Sequence, residues 1–423
     1  MKKQLTRKIA KFLIHPITKF IVIAFFALYL PAQMAWKPQC LADIVTNDAR
    51  VYSLIVMLAL FLSNMVLNNK FFHHLRNLNF RYILPVYLLL SGVMFGVLLI
   101  LREPYSLKFI TPSWLSMLLA FLLYGIVEKY SCRRHVAYVP CGNLATVPVI
   151  KKVTWIKLEK PSLENVEKFD LIAADLRANL SDEWQKFLAE ATLKQIPVYH
   201  SSRLLEILTG RVKMDHLYEN NLGSLLPSKT YQVIKRILES ALIIASFPIT
   251  LPIMLITALA IKLESPGDAM FLQKRVGQGG KEFTIYKFRS MCKDSEKDGS
   301  QFAQANDMRV TRIGKFIRKV RIDELPQFFN VLKGDMALIG PRPEQKSFVD
   351  EFDKIIPFYS YRHIVKPGIS GWAQVTQGYT ADADESRIKL EYDFYYIKNF
   401  SFSMDLLIIF KTIMTMLTGF GAR

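Results

Sequence analysis

Four apolar runs, approximately residues 18–36, 51–68, 82–101 and 112–128, dominate the first third of the chain, joined by short polar loops. Each is close to the ~20 residues that a helix needs to cross the hydrocarbon core of a bilayer. The pattern predicts four transmembrane helices within residues 1–130. Pro31, Gln33 and Trp36 follow the first run without a convincing small-residue cleavage site, so that run is read as a span and not as a removable leader. Over residues 131–225 the period changes to short apolar runs between polar helical stretches. His135 to Val139, Val153 to Leu158, Leu171 to Ala174 and Ile196 to Tyr199 read as strands. Ser181 to Lys194 reads as a helix capped by Ser181, with Asp182 and Glu183 in its first turn. This alternation predicts a small α/β domain. Its Pro140-Cys141-Gly142-Asn143 turn lacks the spacing of a dinucleotide fingerprint, which favours an accessory or oligomerisation role.

A fifth apolar run, Ala241 to Ile261, lies within residues 226–264 and is long enough to span. Basic residues flank it on both sides, Lys229, Lys235 and Arg236 before it and Lys262, Lys274 and Arg275 after it. Pro248 and Pro252 each remove a backbone donor and bend a helix. The expectation is a re-entrant helix that enters one leaflet and returns; the alternative is a kinked span. Lys and Arg are enriched in cytoplasmic loops. Lys2, Lys3, Arg7, Lys8, Lys11 and Lys19 precede the first span, Lys70, Arg76 and Arg81 separate the second from the third, and Lys129, Arg133 and Arg134 follow the fourth. The other two loops balance their charges with Asp43, Asp48 and Glu103. Both ends of the bundle are therefore placed in the cytoplasm, together with the polar segment 265–423.

Composition agrees with a membrane protein: 423 residues, 51% hydrophobic, with a mean hydropathy of +0.19. The net charge of +19 admits nucleic acid, an anionic membrane or phosphorylated substrates, and the apolar content selects the last two. No nucleic-acid motif is present. Cys40, Cys132, Cys141 and Cys292 have neither metal-type spacing nor a disulfide framework.

The chemistry concentrates in the last 150 residues. Arg321-Ile322-Asp323-Glu324-Leu325-Pro326 sets two adjacent carboxylates beside a basic segment. Gln273-Lys274-Arg275-Val276-Gly277 and Tyr286-Lys287-Phe288-Arg289-Ser290-Met291 precede it. Gly334-Asp335-Met336, Gly340-Pro341-Arg342-Pro343 and Lys366-Pro367-Gly368-Ile369-Ser370-Gly371-Trp372-Ala373-Gln374 follow. Carboxylates between cations and Gly/Pro-rich loops are what chemistry on a diphosphate requires. Neighbouring side chains on a helix diverge by about 100°, so Asp323 and Glu324 could act together only at a helix end or bend. Pro326 is compatible with a helix beginning there.

In these motifs the chain from about Thr230 resembles the bacterial sugar transferase family, the polyisoprenyl-phosphate hexose-1-phosphate transferases. The four spans and a degenerate, Rossmann-like α/β domain resemble the architecture of its larger members, with a mainly helical cytoplasmic catalytic domain. The resemblance implies transfer of a sugar 1-phosphate from a nucleoside-diphosphate sugar, with a UDP-sugar as the family expectation, to undecaprenyl phosphate at the bacterial inner membrane. It implies Asp323 as a covalent nucleophile, Glu324 as its partner in holding Mg2+ or positioning Asp323, and Asp393, within Leu390-Glu391-Tyr392-Asp393, as a further catalytic carboxylate. Arg275, Lys287 and Arg342 are implied to bind the diphosphate, with Arg289 and Arg318 as weaker candidates. A homodimer is left open. Two departures stand out. Leu251-Pro252 replaces the Ser-Pro found at the helix bend, so hydroxyl support for the break is expected from elsewhere. Thr376-Gln377-Gly378-Tyr379 replaces an Asn-Gly-Arg continuation, which bears on sugar selectivity. Two other readings are a catalytically silent scaffold of polysaccharide assembly and a transporter of lipid-linked sugars. Intact Asp323, Glu324 and Arg342 oppose the first, and the long polar half opposes the second. Ser401 to Phe420, greasy apart from Asp405 and Lys411, is expected to lie on the membrane surface, and the aromatic, basic stretch Asp353 to His363 to dock beside it.

Overall fold

The structure, a computed structural model, describes residues 15–38, 42–74, 80–131, 134–144, 150, 153–162, 169–213, 226–292, 309–377 and 383–418. Lys2 to Lys11, Arg76, Arg133, Cys40, Cys132 and Gly378-Tyr379, all used in the sequence reading, lie outside the described residues. The chain divides into two compact units, Met1–Thr209 and Gly210–Arg423. The apolar helix after residue 226 therefore belongs with the last third of the chain and does not stand alone.

In the first unit, helix α1 runs over Pro16–Ala24, passes through a π-helical turn at Phe25–Tyr29 and continues over Leu30–Trp36. Helices α2 (Asp48–His74), α3 (Phe80–Leu101) and α4 (Leu107–Ser131) follow, so every one of the four apolar runs is helical. Ile23, Met57, Phe61, Tyr87, Phe109 and Phe121 meet in a shared core. Leu62, Leu99, Leu115 and Leu119 point outward, an apolar exterior that suits lipid and not water. Two polar groups inside the bundle are paired internally: Tyr87 donates to the Trp114 carbonyl at 2.6 Å, and the Trp114 indole donates to Ser91 at 2.8 Å. Four described helices are long and apolar enough to cross a membrane, three of them here, with Val86–Leu101 of α3 shorter.

Four parallel strands complete this unit in the order β2-β1-β3-β4: β1 (Arg134–Tyr138), β2 (Val153–Lys157), β3 (Leu171–Ala174) and β4 (Val198–His200). The central strand β3 is buried along its whole length, as its unbroken Leu-Ile-Ala-Ala run requires. Helix α5 (Asp182–Leu193) lies between β3 and β4, and α6 (Ser201–Thr209) follows β4. Ser181 occupies the N-cap position of α5 in an extended conformation, but its side chain makes no capping hydrogen bond. The acidic first turn, Asp182 and Glu183, carries the dipole complement instead.

The second unit begins with α7 (Lys229–Glu264), 36 residues that continue through Pro248 and Pro252. Its buried residues, Lys235, Glu239, Ile243, Met254, Thr257 and Ile261, form one stripe along nearly its whole length, and Ile237, Leu242, Ile249, Leu255 and Leu259 are exposed on the other side. Hydroxyl support around the two prolines comes from Ser246, which donates to the Ile243 carbonyl at 2.7 Å, and Thr250, which donates to the Ser246 carbonyl at 3.1 Å. Strands β5 (Met270–Val276) and β6 (Glu282–Phe288) form an antiparallel hairpin. After α8 (Arg312–Lys319) come a 3-10 turn at Ile322–Glu324 and α9 (Gln327–Lys333). Strands β7 (Ala337–Ile339) and β8 (Gly368–Ser370) pair in parallel, with α10 (Lys346–Ile355) and a 3-10 turn at Tyr359–Ile364 between them. Helices α11 (Trp372–Thr376), α12 (Ala383–Lys398) and α13 (Phe402–Thr418) close the unit.

Helix α13 covers the described part of Ser401 to Phe420, the stretch expected to lie on the membrane surface. Asp405 and Lys411 are both buried. Asp405 pairs with Lys235 and accepts from Tyr231 (2.6 Å) and Tyr396 (2.8 Å), and the Lys411 ammonium sits 3.9 Å from the centre of the Trp372 ring. The two charges thus turn into the protein, where partners offset the cost of desolvation.

Candidate active site

The site is built on the sharp entry to α9. Arg321 takes a left-handed conformation (φ 58°), and the chain then makes the single 3-10 turn that contains Asp323 and Glu324. Ile322 and Leu325 on that turn pack against Met254, Ile261, Phe288 and Ile317, which fixes it to α7, β6 and α8 at once. Pro326 takes the N-cap position of α9, where its missing N–H costs nothing. The dyad therefore stands at a helix end, one of the two settings in which both carboxylates can serve one place. Fully buried Asn330 on α9 donates to the Thr284 carbonyl at 2.7 Å and accepts from the Tyr286 N–H at 3.0 Å. This amide pins β6 beside the dyad, one residue before Lys287. In the hairpin register Phe271 opposes Lys287 and Arg275 opposes Phe283. Two-residue alternation then sets Arg275 and Lys287 on the same face.

The two carboxylates are treated differently by their surroundings. Glu324 is clamped by Arg342 at 3.0 Å on one oxygen and by Arg321 at 3.1 Å on the other. Against the upward push of burial, Arg342, then Arg321 and Lys287, hold it down to about 2. Asp323, half-buried, has no hydrogen-bond or ion-pair partner among the described residues. Burial and then the charge of Glu324 push it up to about 6, with Lys287, Arg342 and Arg318 opposing. Lys287 is likewise without a partner among the described residues, and burial followed by Arg342 pushes it down to about 7. One carboxylate is locked, and beside it stand a second carboxylate and an ammonium, both unengaged.

Glycines allow the loops around Arg342 to close. A Cβ on Gly368 would lie 2.0 Å from the Gly340 nitrogen, and one on Gly371 would lie 2.4 Å from the Gly340 carbonyl oxygen. Only bare backbone permits that approach, and it brings Gly340-Pro341-Arg342-Pro343 against Lys366 to Gly371. The Val276 N–H donates to the Glu344 carbonyl at 2.9 Å, tying the same loop to the end of β5.

Behind Arg342 lies a buried ionic network. Glu344 pairs with Lys389 at 2.6 Å and with Arg275 at 3.6 Å, and Lys389, Arg362 and Arg275 overcome burial to hold it down to about 2. Arg275 also donates to Gln273 (2.6 Å) and to the Pro343 carbonyl (3.3 Å). Asp393 is 2% exposed and pairs with Arg362 at 2.9 Å; Arg362 in turn donates to the Arg342 carbonyl at 2.9 Å and to Tyr359 at 2.7 Å.

Known proteins resemble this chain along most of its length. Residues 230–419 match the bacterial sugar transferase family. The UDP-N-acetylgalactosamine-undecaprenyl-phosphate N-acetylgalactosaminephosphotransferase of Aeromonas hydrophila is 57% identical over 344 residues, 81% of each chain. The chain belongs to the bacterial sugar transferase family. Two UDP-glucose:undecaprenyl-phosphate glucose-1-phosphate transferases also match. That of Xanthomonas campestris pv. campestris is 44% identical over 164 residues (38% of this chain, 34% of the relative), and that of Caulobacter vibrioides is 43% identical over 202 residues (46% and 74%).

Of the residues expected from the sugar transferase resemblance, Asp323, Glu324, Lys287 and Arg342 come together in one charged cluster, with Arg318 within electrostatic reach of Asp323. Arg275 stands at its edge, held by Gln273 and Glu344. Asp393 is not brought to the dyad: its place is behind Arg342, where it orients Arg362. Arg289 donates to Ser265 and Pro266 and fastens β6 to the end of α7. Tyr395 and Tyr396 are buried, as packing side chains should be. Sequence reasoning gave no site role to Arg321, Asn330, Glu344, Arg362 and Lys389, although it quoted Arg321 in the dyad motif and placed Arg362 in a docking stretch. Arg321, directly before the dyad turn, and Glu344, directly after Pro343, had a local signal.

Among the described residues no three His, Cys, Asp or Glu side chains gather as a metal-holding group. Mg2+ typically keeps several waters and binds one or two carboxylates together with substrate phosphates. Free Asp323 beside Glu324 fits that donor set, provided the diphosphate supplies the remaining oxygens.

Proposed function

We propose that this protein transfers N-acetylgalactosamine 1-phosphate from its UDP-sugar to undecaprenyl phosphate, the initiating step of a surface polysaccharide. Support for this sugar is the 57% identity across 81% of both chains to a protein named for that reaction; the Xanthomonas campestris glucose-specific relative matches over 38% of this chain. The observation that carries the chemistry is an unpartnered Asp323 beside a Glu324 locked by two arginines. An Asp323 oxygen attacks the sugar-bearing phosphorus. A phosphorus–oxygen bond to aspartate forms, the bond to the bridging oxygen breaks, and UMP leaves with that oxygen. A phosphate oxygen of the lipid then attacks the same phosphorus and frees Asp323. Lys287 and Arg342 neutralise the diphosphate so that a carboxylate can approach it, with Arg275 at the rim. Glu324 holds Arg342 in place, and Asp393 does so indirectly through Arg362. Mg2+ bound by the dyad would add charge neutralisation on the phosphate oxygens.

In this reading α1 to α4 span the inner membrane with both ends in the cytoplasm, and α7 is re-entrant. The buried stripe of α7 supports the latter, because its early residues (Lys235, Ile243) and its late ones (Met254, Ile261) both pack on one catalytic unit.

Purified protein with UDP-N-acetylgalactosamine and Mg2+ but no lipid should release about one UMP per chain and retain the sugar phosphate on Asp323, detectable by mass analysis. Asp323→Asn should lose both the burst and turnover by a factor of 10³ or more, as expected for loss of a covalent nucleophile. Turnover that survives this change would remove the mechanism, and silence of the wild type with every nucleotide sugar would favour the scaffold.

A further inference from the structure

A cleft on the catalytic unit lies between the first turns of α7 and the β7/β8 loops. Val331, Met336, Val365 and Phe400 give it apolar walls, and Arg236 and Lys366 stand at its edge. Both cationic heads converge on the C-terminus of α9. Gly334 there has φ 95°, and a Cβ at that position would lie 2.9 Å from a guanidinium nitrogen of Arg236 and 3.6 Å from the Lys366 ammonium. Among the described residues neither side chain has a hydrogen-bond or ion-pair partner. The acids that face them are already engaged: Glu239 with Lys235 at 3.0 Å and Asp335 with Lys333 at 3.3 Å. Burial and the charge of Arg236 both lower the pKa of Lys366. The dipole of α9 and the more distant charges of Glu239 and Asp335 offset part of the repulsion, but two convergent cations that no carboxylate pairs among the described residues call for an anion.

We propose that this cleft binds the phosphate of an anionic glycerophospholipid, a second lipid site distinct from that of the acceptor. Val233, Ile234, Ile237 and Leu238 are exposed on α7 around Arg236, an apolar surface for acyl chains beside a polar seat for the headgroup. The acceptor's phosphate is the wrong occupant for reasons of distance. Asp323 precedes α9 and the cleft lies at its far end, and the seven residues of α9 alone span about 10 Å. An attacking phosphate must come within about 3–3.5 Å of its target. The lipid held here anchors the catalytic unit at the leaflet and takes no part in bond making.

Full-length protein is incubated in detergent with equal phosphatidylglycerol and phosphatidylcholine, and retained lipid is read by native mass spectrometry. Wild type should prefer phosphatidylglycerol, and the double variant Arg236→Gln/Lys366→Gln should lose that preference by about tenfold or more, each cation near an anionic lipid counting for about 1 kcal/mol. Asp323→Asn should bind as wild type does, and excess undecaprenyl phosphate should leave the phosphatidylglycerol in place. Retention unchanged in the double variant overturns the site. Displacement by undecaprenyl phosphate assigns the cleft to the acceptor, and displacement by inorganic phosphate alone assigns it to a soluble ligand; either overturns the proposal. UMP release measured on the same samples reports separately on the transferase reading.

Discussion

At the scale of single residues the site rests on an asymmetry between neighbours. Glu324 is ionised at any working pH, because two guanidinium groups hold it near 2, whereas Asp323 and Lys287 are shifted toward neutrality, to about 6 and about 7. As the proposed nucleophile Asp323 must be deprotonated, and as the proposed phosphate-binding group Lys287 must be protonated. In the free enzyme kcat/KM should therefore rise as pH climbs through about 6 and fall as it passes about 7. The alkaline limb belongs to Lys287. Since a guanidinium stays charged to beyond pH ~12, Lys287→Arg should abolish that limb while the acid limb remains. Initial rates at low UDP-sugar from pH 5 to 9 check this. A wild-type profile flat across the range, or an alkaline limb that persists in Lys287→Arg, would show that these two groups do not govern the reaction.

At the scale of elements, α9 and the β5/β6 hairpin are separate in sequence and are joined by one amide. Asn330→Ala would leave the Thr284 carbonyl and the Tyr286 N–H unpaired in a partly buried place, at up to about 1–3 kcal/mol for each group. For a unit of this size each kcal/mol lowers Tm by about 2–4 °C. Lys287 should shift with its strand, so KM for the UDP-sugar rises along with the fall in Tm. An unchanged Tm would mean that the hairpin is held by other contacts. The elements themselves were largely legible. Apolar runs of about 20 residues became α1 to α4, and the buried run at Leu171 to Ala174 became β3 with the same bounds. The ordered motifs marked the dyad, Lys287 and Arg342, since each has a local sequence signature. What escaped were pairings between distant residues: Arg362 with Asp393, Glu344 with Lys389, and Lys235 with Asp405, which turned α13 inward. No pattern within a short window encodes such a partner. Hydrophobicity alone therefore could not show that Asp405 and Lys411 of α13 are paired inside the protein, or that Asp393 is held by Arg362.

At the scale of the whole molecule, the arrangement follows from where the proposed substrates live. A polyprenyl phosphate keeps its tail in the bilayer and its head at the interface, while a UDP-sugar is soluble, so the catalytic groups have to be carried to the leaflet surface. Helix α7 can do that only if both of its ends stay on one side. Straight, its 36 residues would reach about 54 Å, well beyond the roughly 30 Å hydrocarbon core. Yet Lys235 near its start and Ile261 near its end both pack against residues of the same unit, Asp405 for the one and Ala269, Phe288 and Ile317 for the other. A span would require part of that unit to cross the membrane with it. Asp268 lies just past α7 and is exposed, and Asp268→Cys in a background with Cys40, Cys132, Cys141 and Cys292 replaced by Ser gives a single thiol there. In spheroplasts, where only the outer face is accessible, an impermeant maleimide should leave it unlabelled, and in inverted vesicles it should react. A cysteine placed in the loop between α1 and α2 should show the opposite pattern, which controls for reagent access. Labelling of Asp268→Cys from outside would make α7 a kinked span and put the dyad on the face away from cytoplasmic UDP-sugars.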